Sequence, residues 1–399
     1  MKIKNLHIKE FKGLRDISIN FEKNDKPLDL VVLAGSNGSG KTRVLESILD
    51  YFQKIVNHIE NENVAGVFFE TDEQNCLNQG YNSNMLYLIL NNYNDENIVE
   101  RGRKVVEENL KVFPKIIYVP TETNFQKVEI ASPMLVREYK FLNIVDTELI
   151  KDVPSYIATR IIEMANEQEN TPMQGIRAAV FKEINEIFEI LDLDIKISGI
   201  SKNAKSIPIF TNSAGDKFDI NELSSGEKQL FLRTLAIKML NPENSIILID
   251  EPELSLHPKW QQRIVDVYRK IGKNNQIIIA THSPHILGSV KKENIMLLDK
   301  DDEGKIVVKT GDELYDSYGQ PTDRILEDIM GLKTTRNQEI FDKLEKIREM
   351  VNEDKYETDD FKKEYGDLKE ILGTMDEDIM LIDMEIQIRR KGLKNVKNK

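Results

Sequence analysis

The sequence has little cysteine, no long apolar run and no excess of positive charge. Cys76 is its only cysteine, so the chain can form neither an intramolecular disulfide nor a zinc cluster of several thiolates. A single thiol also fits a reducing compartment, and we expect a cytoplasmic protein. The opening residues MKIKNLHIKEFKG lack the apolar core of a signal peptide. No run approaches the roughly 18 apolar residues of a membrane helix, so no membrane partner is expected.

Acidic residues outnumber basic ones, with 68 Asp and Glu against 55 Lys and Arg. A protein that coats nucleic acid by charge alone is usually basic, because counterion release from the phosphates supplies much of the affinity. The formal charge of -13 therefore argues against a general DNA-coating protein, although it allows a local basic groove. The 399 residues, of which 40% are hydrophobic, can bury a large core.

A glycine-rich loop follows the first buried strand that the sequence predicts. The apolar run LDLVVLA (28–34) is typical of a parallel strand covered on both faces. The next residues match the pattern G-x-x-x-x-G-K-[ST]: Gly35, Ser36, Asn37, Gly38, Ser39, Gly40, Lys41 and Thr42. An apolar helical repeat follows, so the loop's N–H groups would face phosphate oxygens at the start of a helix. We expect Lys41 to reach the β- and γ-phosphates and the Thr42 hydroxyl to bind Mg²⁺.

Two acidic residues follow a second predicted strand. SIILIDEPE (245–253) places Asp250 and Glu251 at the carboxyl end of a strand, where α/β sheets bind ligands. Asp250 is a candidate ligand of Mg²⁺, directly or through water, and Glu251 a candidate to accept a proton from the attacking water or to orient it. Such a pair is often only a solvated strand end. The preceding phosphate loop favours the catalytic interpretation.

A turn of small residues precedes the acidic strand and opens a helix. It contains Ser224, Ser225, Gly226 and Glu227. The backbone amides and the Ser224 hydroxyl could face an anion. Taken alone, an ordinary Ser-Gly helix cap would be the better interpretation. Beyond the acidic strand, QIIIATHSP (276–284) predicts another buried strand that ends next to His282.

Four motifs in this order resemble the nucleotide-binding domain of ABC-type ATPases: the phosphate loop, LSSGE, IILIDEPE and IIIATHSP. LSSGE stands in the place of that family's LSGGQ signature, with Ser225 for the first Gly and Glu227 for the Gln. His282 stands in the place of the switch histidine. DEPELSLHP and ATHSPHIL are similar to the OLD-like and RecF/SMC-like ATPases of DNA metabolism and anti-phage defence. The resemblance covers roughly residues 1–60 and 206–300.

The resemblance implies an α/β fold of the ABC-type P-loop ATPases, with a mostly parallel sheet and an N-terminal antiparallel β segment. We expect an N-terminal lobe with the phosphate loop (1–59), a mostly helical insertion (60–205), a C-terminal lobe with the signature, acidic strand and switch histidine (206–333), and a helical tail (334–399). Apolar spacing in the tail predicts a helical hairpin with a short third helix after Gly373. The hairpin would pack on itself or on the ATPase core, or serve as a docking platform for another protein.

In ABC-type sites the signature loop comes from a second protomer, so two ATP molecules lie between the halves of a twofold dimer. The resemblance thus implies a homodimeric ATPase with ATP as substrate and Mg²⁺ as cofactor. Lys41, Glu251 and His282 would be catalytic in their own chain, whereas Ser224 and its neighbours would act on the partner's nucleotide. The chain looks most like stand-alone ATPase subunits of anti-phage systems of the Septu or PARIS sort, which implies a separate effector such as a nuclease.

Other functions remain open at the level of sequence. A DNA-repair or recombination ATPase of RecF/SMC type is one, although about 145 residues between the two halves cannot supply a long SMC coiled coil. A nuclease with its own ATPase regulator would need a carboxylate cluster, which neither the insertion nor the tail suggests. A transporter subunit would need a membrane partner, and DEPELSLHP is unlike the transporters. The basic end RRKGLKNVKNK could touch DNA, although such tails are commonly only soluble ends.

Overall fold

The chain forms two compact units, residues 1–325 and residues 326–399. A computed structural model describes residues 1–56, 64–70, 114–121, 140–201 and 207–397. No helix within these ranges has the length and apolar character needed to cross a bilayer. Cys76 and most of residues 57–139 lie outside the described residues.

The first unit contains short strands throughout its length. Those within the described ranges are β1 (Lys2–Phe11), β2 (Leu14–Asn20), β3 (Glu22–Lys23), β4 (Lys26–Pro27), β5 (Leu30–Ala34), β6 (Val64–Glu70), β7 (Ile116–Val119), β8 (Leu142–Ile144), β9 (Ile195–Ile200), β10 (Pro208–Asn212), β11 (Lys217–Asp219), β12 (Ile246–Asp250), β13 (Gln276–Ala280), β14 (Ile295–Lys300) and β15 (Ile306–Thr310).

Helices lie between the strands of the first unit and make up the second. The first unit contains α1 (Lys41–Val56), α2 (Thr147–Lys151), α3 (Val153–Glu167), α4 (Met173–Leu191), α5 (Ser225–Met239), α6 (Pro258–Gln261), α7 (Ile264–Arg269), α8 (Pro284–Leu287) and α9 (Thr322–Arg324). A π-helical turn follows at Ile325–Ile329. The second unit contains α10 (Gln338–Asn352), α11 (Asp359–Leu372) and α12 (Glu377–Lys397).

A seven-stranded sheet lies at the centre of the first unit. Its strand order is β15-β14-β5-β13-β12-β7-β8. All neighbours run parallel except β14 and β15, which are antiparallel. Every residue of β5, β12 and β13 is buried, as expected for strands covered on both faces. The structure therefore confirms the predicted α/β fold with a mostly parallel sheet.

Antiparallel strands flank this sheet. β1 pairs with β2 through a turn at Lys12 and Gly13, both with positive φ, and also pairs with β6. This arrangement confirms the predicted N-terminal β segment. A second antiparallel sheet, β9 to β11, was not predicted from the sequence. Its strands are only three to six residues long, so each carries little of the alternation that identifies a strand.

The segment 60–205, predicted as a mostly helical insertion, supplies sheet strands as well as helices. β7 and β8 extend the central sheet beside β12. α4 lies within this segment, and its apolar residues recur at helical spacing. The ring of Phe188 on α4 stacks on Phe231 of α5 with centroids 5.8 Å apart, and Phe231 meets Phe210 of β10 edge-on at 4.9 Å. These rings join the second sheet to the signature helix α5.

The second unit has a hydrophobic core of its own. Its three helices bury Leu344, Ile347, Val351, Tyr356, Phe361, Tyr365, Leu368, Ile379, Ile382 and Ile386. The sequence correctly predicted the first two helices, and their shared core shows that they pack on each other, which was one of the alternatives left open. The third is not short, since α12 runs for 21 residues. Its apolar residues lie on two faces, which weakens the periodicity that marks a helix.

The side chain of Gln276 joins the first strand to the central sheet. Its Oε1 accepts a hydrogen bond from the Ile3 amide at 2.6 Å, and its Nε2 donates to the carbonyls of Ile3 and Leu28, both at 2.9 Å. The residue is fully buried. Buried backbone groups that lose such partners cost free energy, so this glutamine specifies how β1 docks on β13.

We expect Gln276→Leu to lower the free energy of unfolding by about 2–4 kcal/mol, because it leaves buried backbone groups of Ile3 and Leu28 without partners. Urea denaturation followed by circular dichroism measures the change. Gln262→Leu is the matched control, since Gln262 is exposed and its replacement should stay within about 0.5 kcal/mol of the wild type. Equal effects of the two changes would contradict this account.

Candidate active site

Three loops that carry predicted site residues meet at one edge of the central sheet. The phosphate loop follows β5, the Asp250-Glu251 pair ends β12, and His282 follows β13. β13 lies between the other two strands and runs parallel to both, with Ala280 paired to Leu33 on one side and to Asp250 on the other. The carboxyl ends of the three strands are therefore in register, so the loops that follow them lie side by side although they are far apart in sequence.

The phosphate loop needs glycine at two positions for different reasons. Gly35 has a φ of 144°, and a Cβ atom there would lie 2.3 Å from the carbonyl oxygen of Leu298. Gly40 has a φ of 99°, and a Cβ atom there would lie 2.7 Å from Leu14 Cδ2. Only glycine avoids both the contact and the unfavourable backbone conformation. The loop ends at α1, whose N-terminus is positively polarised and suited to an anion.

Lys41 folds back across the phosphate loop. Its Nζ donates hydrogen bonds to the carbonyl oxygens of Gly35 at 2.9 Å and Ser36 at 3.0 Å. Burial lowers the pKa of Lys41, whereas the nearby charges of Glu251, Glu253 and Asp250 oppose that shift. The ammonium group is thus held at the loop by acceptors that a phosphate oxygen could replace.

Asp250 is held between two threonine hydroxyls. Thr42 Oγ1 donates to Asp250 Oδ1 at 3.0 Å, and Thr121 Oγ1 donates to Oδ2 at 2.7 Å. Burial raises the pKa of Asp250, while the two hydroxyl hydrogen bonds act in the opposite direction. The predicted pair of Thr42 and Asp250 is therefore brought together. Thr121, at the end of β7, was not predicted.

Glu251 and His282 also lie together. His282 Nδ1 is 3.4 Å from Glu251 Oε1 and 3.5 Å from Glu253 Oε1, so the imidazole lies near two carboxylates. The backbone of Glu251 has a φ of 43°, which few residues other than glycine adopt and which is found at functional sites. Its amide donates to the Ala280 carbonyl at 2.9 Å. This bond ties the acidic loop to the strand that carries His282.

The signature residues begin α5, and the side-chain hydrogen bonds of Ser224 and Glu227 stay within the turn in the part of the chain that the structure describes. Ser224 is the N-cap, and it exchanges hydrogen bonds with Glu227 in a capping box. A Cβ atom on Gly226 would lie 2.7 Å from the carbonyl oxygen of Ser255, so the turn packs against the loop that follows β12. Ser224 and Ser225 are exposed. Within the described residues, none of the hydrogen bonds of Ser224 or Glu227 reaches the phosphate loop.

Known proteins resemble the chain in both halves of this site. A family model described as AAA ATPase domain matches residues 1–171, and an AAA domain model, whose description also names the AbiEii toxin and Type IV TA systems, matches residues 129–288. The Septu protein PtuA of Bacillus thuringiensis is 26% identical over 88% of this chain and 91% of its own length. The chain is an ATPase, and it resembles the OLD-like and RecF/SMC-like group.

Two further relatives support this assignment. The Vibrio cholerae serotype O1 biovar El Tor protein named Retron Vc95 probable ATPase is 24% identical over 75% of this chain and 74% of its own length. The Old nuclease of Escherichia phage P2 is 24% identical over 52% of this chain and 40% of its own length. The ATPase assignment agrees with the phosphate loop and the acidic strand end, and it implies nucleotide binding.

Glu253 is a third acidic residue of the ATPase site, and the sequence analysis assigned it no role. Its Oε1 accepts hydrogen bonds from Thr281 Oγ1 at 2.6 Å and from the His282 amide at 2.9 Å. The carboxyl group is buried, which raises its pKa, and these hydrogen bonds oppose the shift. Glu253 therefore connects the acidic loop to the loop of His282. The sequence could have indicated this residue, because Glu253 is part of the same DEPE motif as Asp250 and Glu251.

Arg233 on α5 is the other residue that sequence reasoning missed. Its guanidinium is buried and donates to the carbonyl oxygens of Pro120 at 2.9 Å, Thr121 at 2.8 Å and Glu251 at 3.3 Å. Burial lowers the pKa of Arg233, and nearby acidic groups oppose that effect. The side chain thus joins the signature helix to the ends of β7 and β12. Its position in an apolar helix gave no indication of this contact.

Glu253→Gln should alter how stability depends on pH. Burial raises the pKa of Glu253 above its ordinary value of 4.5, so the folded chain binds this proton more tightly than the unfolded chain. Wild-type stability should therefore fall as the pH rises from 4.5 through the folded-state pKa, because a buried carboxylate becomes charged. Glutamine keeps an acceptor for Thr281 and His282 without that charge. We expect the variant's free energy of unfolding to rise relative to that of the wild type as the pH increases above 4.5.

Chemical denaturation at several pH values measures this difference. Glu370→Gln, on the exposed surface of α11, controls for the general loss of one negative charge. A variant that instead loses stability relative to the wild type as the pH rises would show that the charged form of Glu253 is favoured in the folded protein.

Proposed function

We propose that this chain is an ABC-type switch ATPase that dimerises around ATP and regulates or recruits a separate effector protein, such as a nuclease, in anti-phage defence. One observation carries the proposal. The side chains proposed to bind and hydrolyse ATP converge at one sheet edge, whereas Ser224 is exposed and makes no hydrogen bond to its own phosphate loop within the described residues. A second copy would complete the site.

In this proposal, Lys41 and the amides of the phosphate loop bind the β- and γ-phosphates. The ammonium group of Lys41 already lies at the phosphate loop, where it donates to two carbonyl oxygens. On binding, phosphate oxygens would replace these acceptors, so the charge needs little rearrangement. The oxygens of Thr42 and Asp250 fit Mg²⁺, because this ion binds through one or two protein oxygens together with phosphates and water. When bound, Mg²⁺ neutralises charge on the transferred phosphoryl group. The Thr121 hydroxyl would hold the second Asp250 oxygen in place.

Glu251 would orient the attacking water and accept its proton. Its carboxylate lies beside Asp250 in sequence and 3.4 Å from His282 Nδ1. His282 would contact the γ-phosphate. It follows β13, which lies between the strand of the phosphate loop and the strand of the acidic loop, and the carboxyl ends of all three strands are in register. Glu253 fixes the backbone amide of His282 and so positions this side chain. In this scheme Glu251 accepts the proton, whereas His282 stabilises charge on the γ-phosphate.

The signature turn would bind the nucleotide of the partner chain. Ser224, Ser225 and Gly226 lie at the N-terminus of a 15-residue helix, where backbone amides and the helix dipole favour a phosphate. A γ-phosphate between two chains supplies a contact that exists only in the closed dimer, so ATP favours closure and hydrolysis removes that preference. Arg233 connects this same helix to the backbone of Glu251, and it would transmit closure to the catalytic loop.

Similarity to a Septu protein over most of both chains supports a role in defence. The first test is co-purification of the tagged full chain from its native host, with and without ATP. A nuclease retained only by the ATP-bound form would support the proposal. Cleavage of a plasmid by the pure chain with Mg²⁺ or Mn²⁺ would instead assign the nuclease activity to this chain.

Mixing two inactive chains tests whether sites are shared. Lys41→Ala removes a phosphate ligand and Ser224→Arg blocks the signature turn, so each variant alone should hydrolyse little ATP. An equimolar mixture should recover about a quarter of the wild-type rate, because half of the dimers are mixed and each contains one intact site. Steady-state phosphate release measures this recovery. A mixture as inactive as its components would contradict sites that are completed by the partner.

Glu251→Gln should lower the rate of hydrolysis about 100-fold or more, because the water loses its proton acceptor. ATP should then accumulate in the closed form. At a submicromolar chain concentration, where weak nucleotide-independent association does not contribute, sedimentation velocity should show an ATP-dependent rise in mass for Glu251→Gln. It should show none for the double variant that also contains Ser224→Arg. An ATP-bound Glu251→Gln chain whose mass does not change would argue against closure around nucleotide.

A further inference from the structure

Helix α12 of the second unit is apolar on two opposite faces. One face contains Ile379, Ile382 and Ile386, which are buried in the core of that unit. The other face is exposed: Met380 is 46% exposed, Leu381 54%, Met384 56% and Ile388 67%. We call these last four residues the exposed stripe. An amphipathic helix that only packs on its own unit needs one apolar face, so the second face is unexplained by the fold.

The exposed stripe is continuous along the helix. At 3.6 residues per turn, its four side chains fall within an arc of about 100°, on the side opposite the buried isoleucines. Single exposed apolar residues are common on protein surfaces, but a contiguous row of large ones marks a site of interaction. The stripe is therefore best explained by a covering partner.

A charged residue stands at each end of the stripe. Glu377 and Lys391 are exposed, have opposite charge and fall in the same arc of the helix. They are separated by about 21 Å along the axis, so they cannot pair with each other within one helix. Within the described side chains, neither forms an ion pair.

The exposed stripe and its flanking charges are spaced symmetrically about Met384, so two copies of the helix can match each other. Met380 and Ile388 are equally distant from Met384 in sequence, and so are Glu377 and Lys391. If two copies of α12 pack antiparallel with their twofold axis at Met384, each Met380 faces the Ile388 of the other copy. Each Glu377 then faces a Lys391, and the two Met384 side chains meet at the axis. A twofold interface requires this kind of self-matching surface.

We propose that a second copy of this chain covers the exposed stripe through an antiparallel pair of α12 helices. The opposite charges at the two ends favour this antiparallel register and oppose a parallel one, in which like charges would meet. One helix pair is smaller than the roughly 800 Å² per partner of a standard interface, so association in the micromolar range is expected. The interface uses the second unit alone and does not depend on ATP or on the proposed signature contact.

Sedimentation equilibrium of the nucleotide-free full chain, between about 1 and 100 μM, tests the proposal. Mass should rise toward that of a dimer, also in a Ser224→Arg chain, which cannot use the ATP-dependent contact. Met384→Glu should weaken the dimer at least about 10-fold, because it places two carboxylates at the twofold axis. Met375→Glu is the matched control: Met375 is 84% exposed, lies before α12 and should leave dimerisation unchanged.

Charge reversal tests the register. Glu377→Lys and Lys391→Glu should each weaken the dimer, because like charges then face each other, and the double variant should regain most of the affinity. A disulfide tests it independently in a Cys76→Ser background, which has no other thiol. Met384→Cys should cross-link two chains, since packed helices bring the Cα atoms at the axis within disulfide range. Met375→Cys should not cross-link.

Three outcomes would overturn the proposal. The first is a monomer throughout the concentration range. The second is a dimer that Met384→Glu leaves intact. The third is a monomeric chain in which Met384→Glu instead abolishes the retention of a co-expressed effector, because the stripe would then bind that protein. An unchanged melting temperature of Met384→Glu is also expected, and a large decrease would show that Met384 packs within its own chain.

Discussion

The parallel register of β5, β13 and β12 is the constraint on which the active site depends. Backbone hydrogen bonds align Leu33, Ala280 and Asp250 across the three strands, so the loops that follow them start at the same level. Each loop then contributes a different group: a phosphate-binding turn, a pair of acids or a histidine. The site is thus assembled by the sheet rather than by any one segment, and its geometry is as rigid as the buried strands that support it.

The site contains several buried ionisable groups, and burial shifts their pKa values. Lys41, Arg233, Asp250 and Glu253 are all buried, and burial shifts the pKa of each group toward its neutral form. Each forms at least two hydrogen bonds, which offset part of the desolvation cost. Arg233 is the clearest case, because one guanidinium joins the signature helix to the ends of two strands. These hydrogen bonds connect the position of that helix to the backbone of Glu251.

The two proposed interfaces have different physical origins. The signature turn meets its partner only through the charge of a nucleotide, so that contact is conditional on ATP. The stripe of α12 consists of apolar side chains, and its association depends mainly on their removal from water. A nucleotide-independent contact on one unit would keep two copies near each other between rounds of hydrolysis, since a tethered partner has a high effective concentration.

The sequence by itself determined the local parts of this protein. Continuous apolar runs predicted β5, β12 and β13, the glycine pattern predicted the phosphate loop, and the motif order predicted the ATPase group, because these features need only neighbouring residues. The tertiary structure alone decided what joins these parts. Thr121 meets Asp250 across 129 residues, Arg233 donates to backbone carbonyls just beyond β7 and β12, and the short strands β9 to β11 form a sheet only by packing together. Such contacts leave no periodic trace in the chain, because they depend on how distant segments pack.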